Sequence, residues 1–254
     1  LVIPFLLAWL LWVNRGPLAR RQALLGVATA SAVVILAILP ITAFNHARFD
    51  SLVLLNTNAG YAFFWGNHPI SGDRFAPASD MGTRYQELVP PELRHLDEAA
   101  LDRALLARGI GFVTADPPRY LRLSLSRIPA YFKFWPDPAS STISNLARVG
   151  SFALFLPFML YGLVRPLLQR RQGTLRLVRP PAPLQLLYLF VGLYTLIHLL
   201  TWAQIRYRLP VDAVLVLFAA GALAEVATAL ARRRGLRVRG RHAVSASHSI
   251  HVRR

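Results

Sequence analysis

"ALLGVATASAVVILAILPITAF", residues 23–44, contains no Asp, Glu, Lys or Arg. A bilayer core needs about 20 consecutive apolar residues of helix, so this run by itself predicts a membrane span. Working outward, 183–202 is interrupted only by His198, and 211–231 carries Asp212 at its mouth and Glu225 inside. The uncharged run between Arg148 and Arg165 is short, but both arginines can snorkel to the interfaces, and it counts as a span. Residues 1–13 read as the tail of a truncated helix, the chain being expected to be the C-terminal part of a longer protein. A signal peptide is the alternative, although a basic leader and a small-residue cleavage site are missing. The expected fold is mainly α: a polytopic helical membrane protein with four spans and part of a fifth.

Composition agrees with that class. Hydrophobic residues make up 54% of the 254 and charged residues only 16%, too apolar for an ordinary soluble domain. Without cysteine, disulfides, thiolate metal sites and Cys nucleophiles are excluded. The net charge of +17 would suggest nucleic acid in a soluble protein, so its location matters. Arg15, Arg20 and Arg21 lie in 14–22, and Arg165, Arg170, Arg171, Arg176 and Arg179 in 165–182. Eight more arginines follow Ala231. No acid accompanies any of these groups, and they fall at alternate ends of the spans, as cytoplasmic segments do. The stretch 45–147 holds ten of the twelve acids and ten basic residues, and is expected outside. The basic excess thus reads as topology, with contact to anionic lipid, and nucleic acid is not an expected partner.

The expected organisation is a transmembrane region over 1–44, an extracytoplasmic domain of about 100 residues over 45–148, three further spans over 149–231, and a disordered cytoplasmic tail over 232–254. The location is the inner or plasma membrane.

The outer segment carries local patterns. Residues 97–113 read as a helix with Leu101, Leu105 and Phe112 on one side, weakened at its end by Gly109 and Gly111. Further on, Leu121, Leu125, Ile128, Phe132 and Trp135 form a narrow apolar stripe, with Arg119, Arg122, Ser126 and Lys133 opposite. Pro117 and Pro118 suit its first turn and Pro129 should kink it. This describes a helix in a membrane interface; the alternative is a helix packed on its own domain with a solvated basic face. "LLNTNAGYAFFWGNHPISGD", 54–73, has the Asn, Gly and Pro of a loop around Tyr61, Phe63, Phe64 and Trp65. Such a loop could fold onto the membrane surface, where aromatic rings are favoured, and wall a cavity. Plain packing is the alternative.

These residues also carry a resemblance. "PITAFNHARF" (40–49) followed by "LLNTNAGYAFFWGNHP" (54–69) resembles the GT-C membrane glycosyltransferases, in which Pro-x-Thr-x-x-Asn leads to an Asn/Gly-rich stretch and a Gly-Asn-x-Pro turn. "LDRALLARGIGFVTADPPRYLRLSLSRIPAYFKFW" (101–135) is similar to their Asp-Arg helix, Pro turn and basic helix. "RYRLPVDAVLVLFAAGAL" (206–223) is similar to their penultimate outer loop and final helix. The match runs from about Pro40 to Leu223 and points to the protein-mannosyltransferase-like and aminoarabinose-transferase-like branch (families 39 and 83).

The resemblance implies transfer of a sugar from a polyprenyl-phosphate-linked donor to a lipid, protein or glycan acceptor on the outer face. That chemistry needs a carboxylate to take the acceptor proton, cations to stabilise the departing phosphate, and a groove for the lipid tail. In the family the carboxylate lies in a first outer loop that this chain is expected to lack, so the catalytic base is unassigned and the chain alone is expected to be inactive. Arg206 and Arg208, in a very short outer loop, are the candidates for the donor phosphate, which a guanidinium grips bidentately; anchoring the helix ends is their other reading. Tyr207 is placed at the same site. Tyr61, Trp65, Asn67, His68, Lys133 and His198 are candidates to line a cavity or touch substrate, with a neutral, hydrogen-bonded role equally open for His198. Asp212 suits the start of its helix through the dipole, and Glu225 is expected to pair with the basic tail. No nucleotide or metal signature occurs, so no cofactor is identified; a divalent metal held by Asp and His of the outer segment stays open without a spacing to support it. A non-catalytic lipid-binding or envelope-assembly module is the alternative function. A transporter is weaker, since no inverted repeat is visible.

Overall fold

The structure, a computed structural model, describes residues 2–14, 16–76, 82–136, 140–171, 174–178 and 180–250, with the backbone alone at 17, 169–171, 174–177 and 233–250. It is mainly helical. In chain order the elements are α1 (Val2–Val13), α2 (Pro17–Phe49), α3 (Ala59–Asn67), α4 (Glu98–Ala115), α5 (Pro117–Tyr131), α6 (Thr142–Arg148), α7 (Leu156–Val164), β1 (Leu168–Arg171), β2 (Thr174–Leu177), α8 (Ala182–Leu200) and α9 (Leu209–Ile250). Four stretches are long and apolar enough to cross a membrane: Leu18–Phe49, Thr142–Leu167, Ala182–Leu200 and Ile205–Arg232. α1 is apolar but shorter. On α2 the large side chains of Leu25, Val33, Leu36 and Phe44 all stand exposed. These side chains leave a long apolar surface on α2 uncovered by the described residues.

Two compact units form, one from Leu1–Lys133 with Pro181–Val211 and the other from Phe134–Pro180 with Asp212–Arg254. In the first, α2 begins with Pro17 in its first turn and ends at Asp50, which takes the left-handed conformation at φ 46°. Its last turns grip the returning chain. Thr42 Oγ1 donates to the Leu54 carbonyl at 2.7 Å, and buried Asn45 donates through Nδ2 to the carbonyls of Val53 and Leu55, both at 3.1 Å. The Thr and Asn of the Pro-x-Thr-x-x-Asn motif are therefore backbone clamps.

Within the stretch 54–73, expected to be a surface loop, residues Ala59–Asn67 form helix α3. Its glycines do not make turns; they let other backbones approach. A Cβ on Gly60 would collide with the Asp102 carbonyl, and one on Gly66 with the Thr201 carbonyl. α3 lies along α4, with Gly60 meeting Asp102, Phe64 meeting Gly109 and His68 meeting Phe112, so the two helices run in the same direction. Phe64, Val89 and Leu105 form the core, with Tyr61, Trp65, Leu101 and Phe112 packed around it. Of the aromatic cluster, Phe64 is thus in the core and Tyr61 and Trp65 pack against it. α3 has no cap from its own Asn58. Instead Asp102 Oδ1 accepts from the N–H groups of Gly60 (2.8 Å) and Tyr61 (3.1 Å), placing a carboxylate at the helix N-terminus.

α4 follows its sequence pattern, capped by Asp97, whose Oδ1 accepts from Ala100 N–H at 2.8 Å. Gly109 does not weaken it: the helix continues to Ala115, and the missing side chain makes room for the Phe63 ring and the Phe64 backbone. α5 is capped by Asp116, which accepts from Arg119 N–H at 2.9 Å. Leu121, Leu125 and Ile128 stand exposed as one stripe, while Leu123, Ser124, Arg127 and Tyr131 are buried. The face read as solvated cations divides. Arg122 stays outside beside Asp73 (3.3 Å), Ser126 accepts from Phe75 N–H, and Arg119 turns inward.

In the second unit a π-helical turn at Val149–Ala153 links α6 to α7. α7 packs on α9 where Gly162 meets the Phe218 carbonyl, an approach that leaves no room for a Cβ. Glu225 was expected to pair with the tail. Among the described residues it meets Arg165 (3.6 Å) and accepts from Tyr161 Oη (3.2 Å), because α7 lies against that turn of α9. β1 and β2 pair as an antiparallel hairpin, Leu168 opposite Leu177, a feature the apolar periodicity did not indicate. The tail expected to be disordered is helical as far as Ile250, in a stretch rich in Ala and Arg, both good helix formers.

Asp102→Ala strips two α3 N–H groups of their acceptor and removes the charge at that terminus. The expected loss is about 1–2 kcal/mol of stability, read from thermal unfolding in detergent or nanodiscs, with secondary-structure content otherwise retained.

Candidate functional site

The first unit is held by an arginine that sequence reasoning left unplaced. Arg127 is fully buried on α5. Its Nη2 donates to the Gly66 carbonyl and, at 2.9 Å, to Asn67 Oδ1. Its Nη1 donates to the Leu199 carbonyl at 2.8 Å and to Ser124 Oγ at 3.3 Å. The guanidinium carbon stands 5.6 Å from the centre of the Phe75 ring, and Nε is buried without a partner. Among the described residues no carboxylate answers the charge; the carbonyl ends of α3 and α8 do, where helix dipoles are negative. Burial lowers the pKa of Arg127 to about 10, so it remains a cation at neutral pH. Arg119 adds bonds to the carbonyls of Asn67 (3.1 Å) and His68 (2.8 Å), and Tyr120 Oη donates to Leu200 O at 2.9 Å. The only sequence signal for Arg127 was its register, four residues from both Leu123 and Tyr131.

Asn67 and His68 therefore belong to the scaffold. Asn67 is buried in the Arg127 clasp and donates to the Phe63 carbonyl. His68 Nδ1 accepts from Ile70 N–H at 3.2 Å, which requires the neutral ring, and the ring packs edge-on against Phe64 and Phe112. Burial, and then the nearby Arg119, lower its pKa below the usual value.

The two proposed phosphate ligands separate. Arg208 is buried, and its Nη1 donates to the carbonyls of Tyr131 (3.1 Å) and Lys133 (3.4 Å). Lys133 thus enters through its backbone. Arg206 stands exposed, its guanidinium 5.2 Å from the centre of the Tyr207 ring and 3.4 Å from the Tyr207 hydroxyl. Tyr207 stacks on His198, with ring centres 4.9 Å apart and planes within 6°; His198 also stacks on Tyr131 at 6.0 Å. His198 Nδ1 lies 3.3 Å from the Trp202 carbonyl. One cation–aromatic column, Arg206, Tyr207, His198 and Tyr131, so marks the C-terminal end of α8.

Tyr61 and Trp65, packed against the core, also border a cleft. The cleft of about 430 Å³ is walled by these two rings, Val89 and Leu101, with Gln86, Glu87 and Arg94 at its polar side. Trp65 contacts Trp202 (6.4 Å between ring centres) and Tyr85 (4.9 Å), so the cleft wall and the column share the 201–208 segment. Glu87, Gln86, Arg94 and Trp202 escaped sequence reasoning because no motif connects them. Among the described residues no group of three or more His, Asp or Glu gathers that could hold a metal ion. Comparison with family models, with curated proteins and with solved structures returns no match.

His68 gives a pH dependence with a definite sign. Its folded pKa lies below the unfolded value of 6.5, so its stabilising contribution is complete above that value and is lost as pH falls through the folded pKa. His68→Asn keeps a side-chain acceptor and removes the titration. Unfolding measured between neutral pH and pH 5 should show a shallower loss of stability in the variant than in the wild type.

Proposed function

We propose that this chain is the donor-binding part of a polytopic membrane glycosyltransferase of the GT-C type, taking a sugar from a polyprenyl-phosphate-linked donor for an acceptor outside the cytosol. The observation that carries this reading is the exposed Arg206 laid over Tyr207 at the end of apolar helix α8. A lipid whose tail runs beside α8 delivers its phosphate to that level. The four long apolar helices and the uncovered Leu121, Leu125 and Ile128 stripe of α5 support a membrane setting. Tyr120 and Arg127, on another face of α5, bind the last carbonyls of α8, which fits a helix lying at the bilayer boundary. The arginine-only segments would then face the cytosol and the mixed-charge segment the outside.

In the transfer, the acceptor hydroxyl attacks the anomeric carbon, the bond from that carbon to the phosphate oxygen breaks, and polyprenyl phosphate leaves with the electron pair. Arg206 is assigned to the charge that develops on that phosphate. The hydroxyl proton passes to a carboxylate that the described residues do not identify. Asp102, the acid of the Asp-Arg helix, is occupied in capping α3. That occupation favours, as a second reading, a non-catalytic module that binds the same lipid.

The test is binding of a radiolabelled polyprenyl-phosphate sugar to the chain in nanodiscs. Arg206→Ala should weaken binding about tenfold, the loss of one charge-assisted contact, at unchanged melting temperature. Arg208→Ala should lower the melting temperature instead. Wild-type affinity in Arg206→Ala removes the reading. Retained binding without sugar transfer by the complete protein selects the non-catalytic module.

A further inference from the structure

We infer that the cleft beside α3 is a saccharide site, taking one or a few neutral pyranose units. Its role as the place of an acceptor glycan rests on the transfer reading; its ability to bind sugar does not. A pyranose ring is two-sided, with C–H faces that pack on aromatic rings and hydroxyls around the rim that need both donors and acceptors. The cleft supplies both. Tyr61 and Trp65 lie one helical turn apart on α3, with ring centres 5.3 Å apart and planes inclined at 53°, and so form a bent apolar wall. Gln86, Glu87 and Arg94 line the same space and are exposed.

The site is held ready by contacts that leave its useful atoms uncommitted. Trp65 Nε1 donates to the Tyr85 carbonyl at 3.1 Å, which fixes the indole. Arg94 Nε donates to the Val89 carbonyl (3.0 Å) and Nη2 to the Glu87 carbonyl (3.3 Å), so Nη1 is left for a ligand. Glu87 Oε2 accepts from Arg84 N–H at 3.3 Å, leaving Oε1. One acid, one amide and one guanidinium give a lining of mixed sign, suited to neutral hydroxyls rather than to a polyanion. A volume of about 430 Å³ falls within the usual range for small-molecule sites and leaves room for a short saccharide. Trp65 and Arg94 are held by main-chain carbonyls before binding, which lowers the ordering cost of a ligand.

The experiment uses the whole chain in nanodiscs and saturation-transfer NMR with methyl hexopyranosides and a disaccharide, with glycerol as the control. Ring protons of the glycosides should receive saturation, and glycerol should not. Glu87→Gln and Tyr61→Leu should each reduce the glycoside signal at least fivefold. Glu87 lies at the exposed rim, so that variant decides the matter if Tyr61→Leu loses its fold. Glycoside signals no larger than glycerol's, or wild-type signals in a folded Glu87→Gln, overturn the inference. The polyprenyl-phosphate sugar is assayed on the same samples. Saccharide binding without donor binding keeps the cleft and removes the transfer reading, and the converse result does the opposite.

Discussion

A buried guanidinium that meets main-chain carbonyls, and no carboxylate among the described residues, sets the terms for the first unit. Placing an isolated cation away from water is costly unless its hydrogen bonds are remade. Arg127 remakes them with main-chain carbonyls from the ends of α3 and α8 and with the Asn67 and Ser124 side chains. Those carbonyls are themselves orphans of helix termination. One side chain thus satisfies the ends of two helices while two helix dipoles stabilise its charge. The arrangement turns Arg119 and Arg127 of α5 inward and leaves the Leu121, Leu125 and Ile128 face outside.

The same solution recurs. Arg119 serves the carbonyls at the end of α3, and Arg208 those of Tyr131 and Lys133. Arginine suits this work because its planar fork stays charged and reaches several acceptors at once. With these guanidinium groups drawn into the scaffold, Arg206 keeps its cation at the surface, against Tyr207. Within one four-residue turn, 205–208, Arg208 is buried on main-chain carbonyls while Arg206 stands exposed.

Much of this was legible in the chain. Apolar length is a one-dimensional property, so the run from Ala23 to Phe44 and its three counterparts were readable as long apolar helices. The apolar side of α4, with Leu101, Leu105 and Phe112, was equally direct. α3 was not, because Asn and Gly signal turns locally, whereas here Gly60 and Gly66 serve distant backbones at Asp102 and Thr201. Arg127 was hidden for a related reason: a charge argues for exposure, and its partners are carbonyls, which every residue has and no motif marks. Glu225 meets Arg165, just past the end of α7 and sixty residues away in sequence, a pairing no local pattern marks; the side chains of the tail beyond Arg232, where its partner was expected, lie outside the described residues. The cleft drew Tyr61 and Trp65 from a stretch that looked aromatic, but its polar side at Gln86, Glu87 and Arg94 assembles only in three dimensions.

The most direct measurement is hydrogen exchange at the ends of α3 and α8 in wild type, Arg127→Met and Arg127→Lys. Methionine conserves apolar bulk but leaves the Gly66 and Leu199 carbonyls unanswered; lysine keeps the charge without the fork. If the buried guanidinium holds the unit together, both variants should lose about 3–5 kcal/mol of opening free energy there, while exchange in α7 stays unchanged. Protection in Arg127→Met equal to that of the wild type would contradict the account.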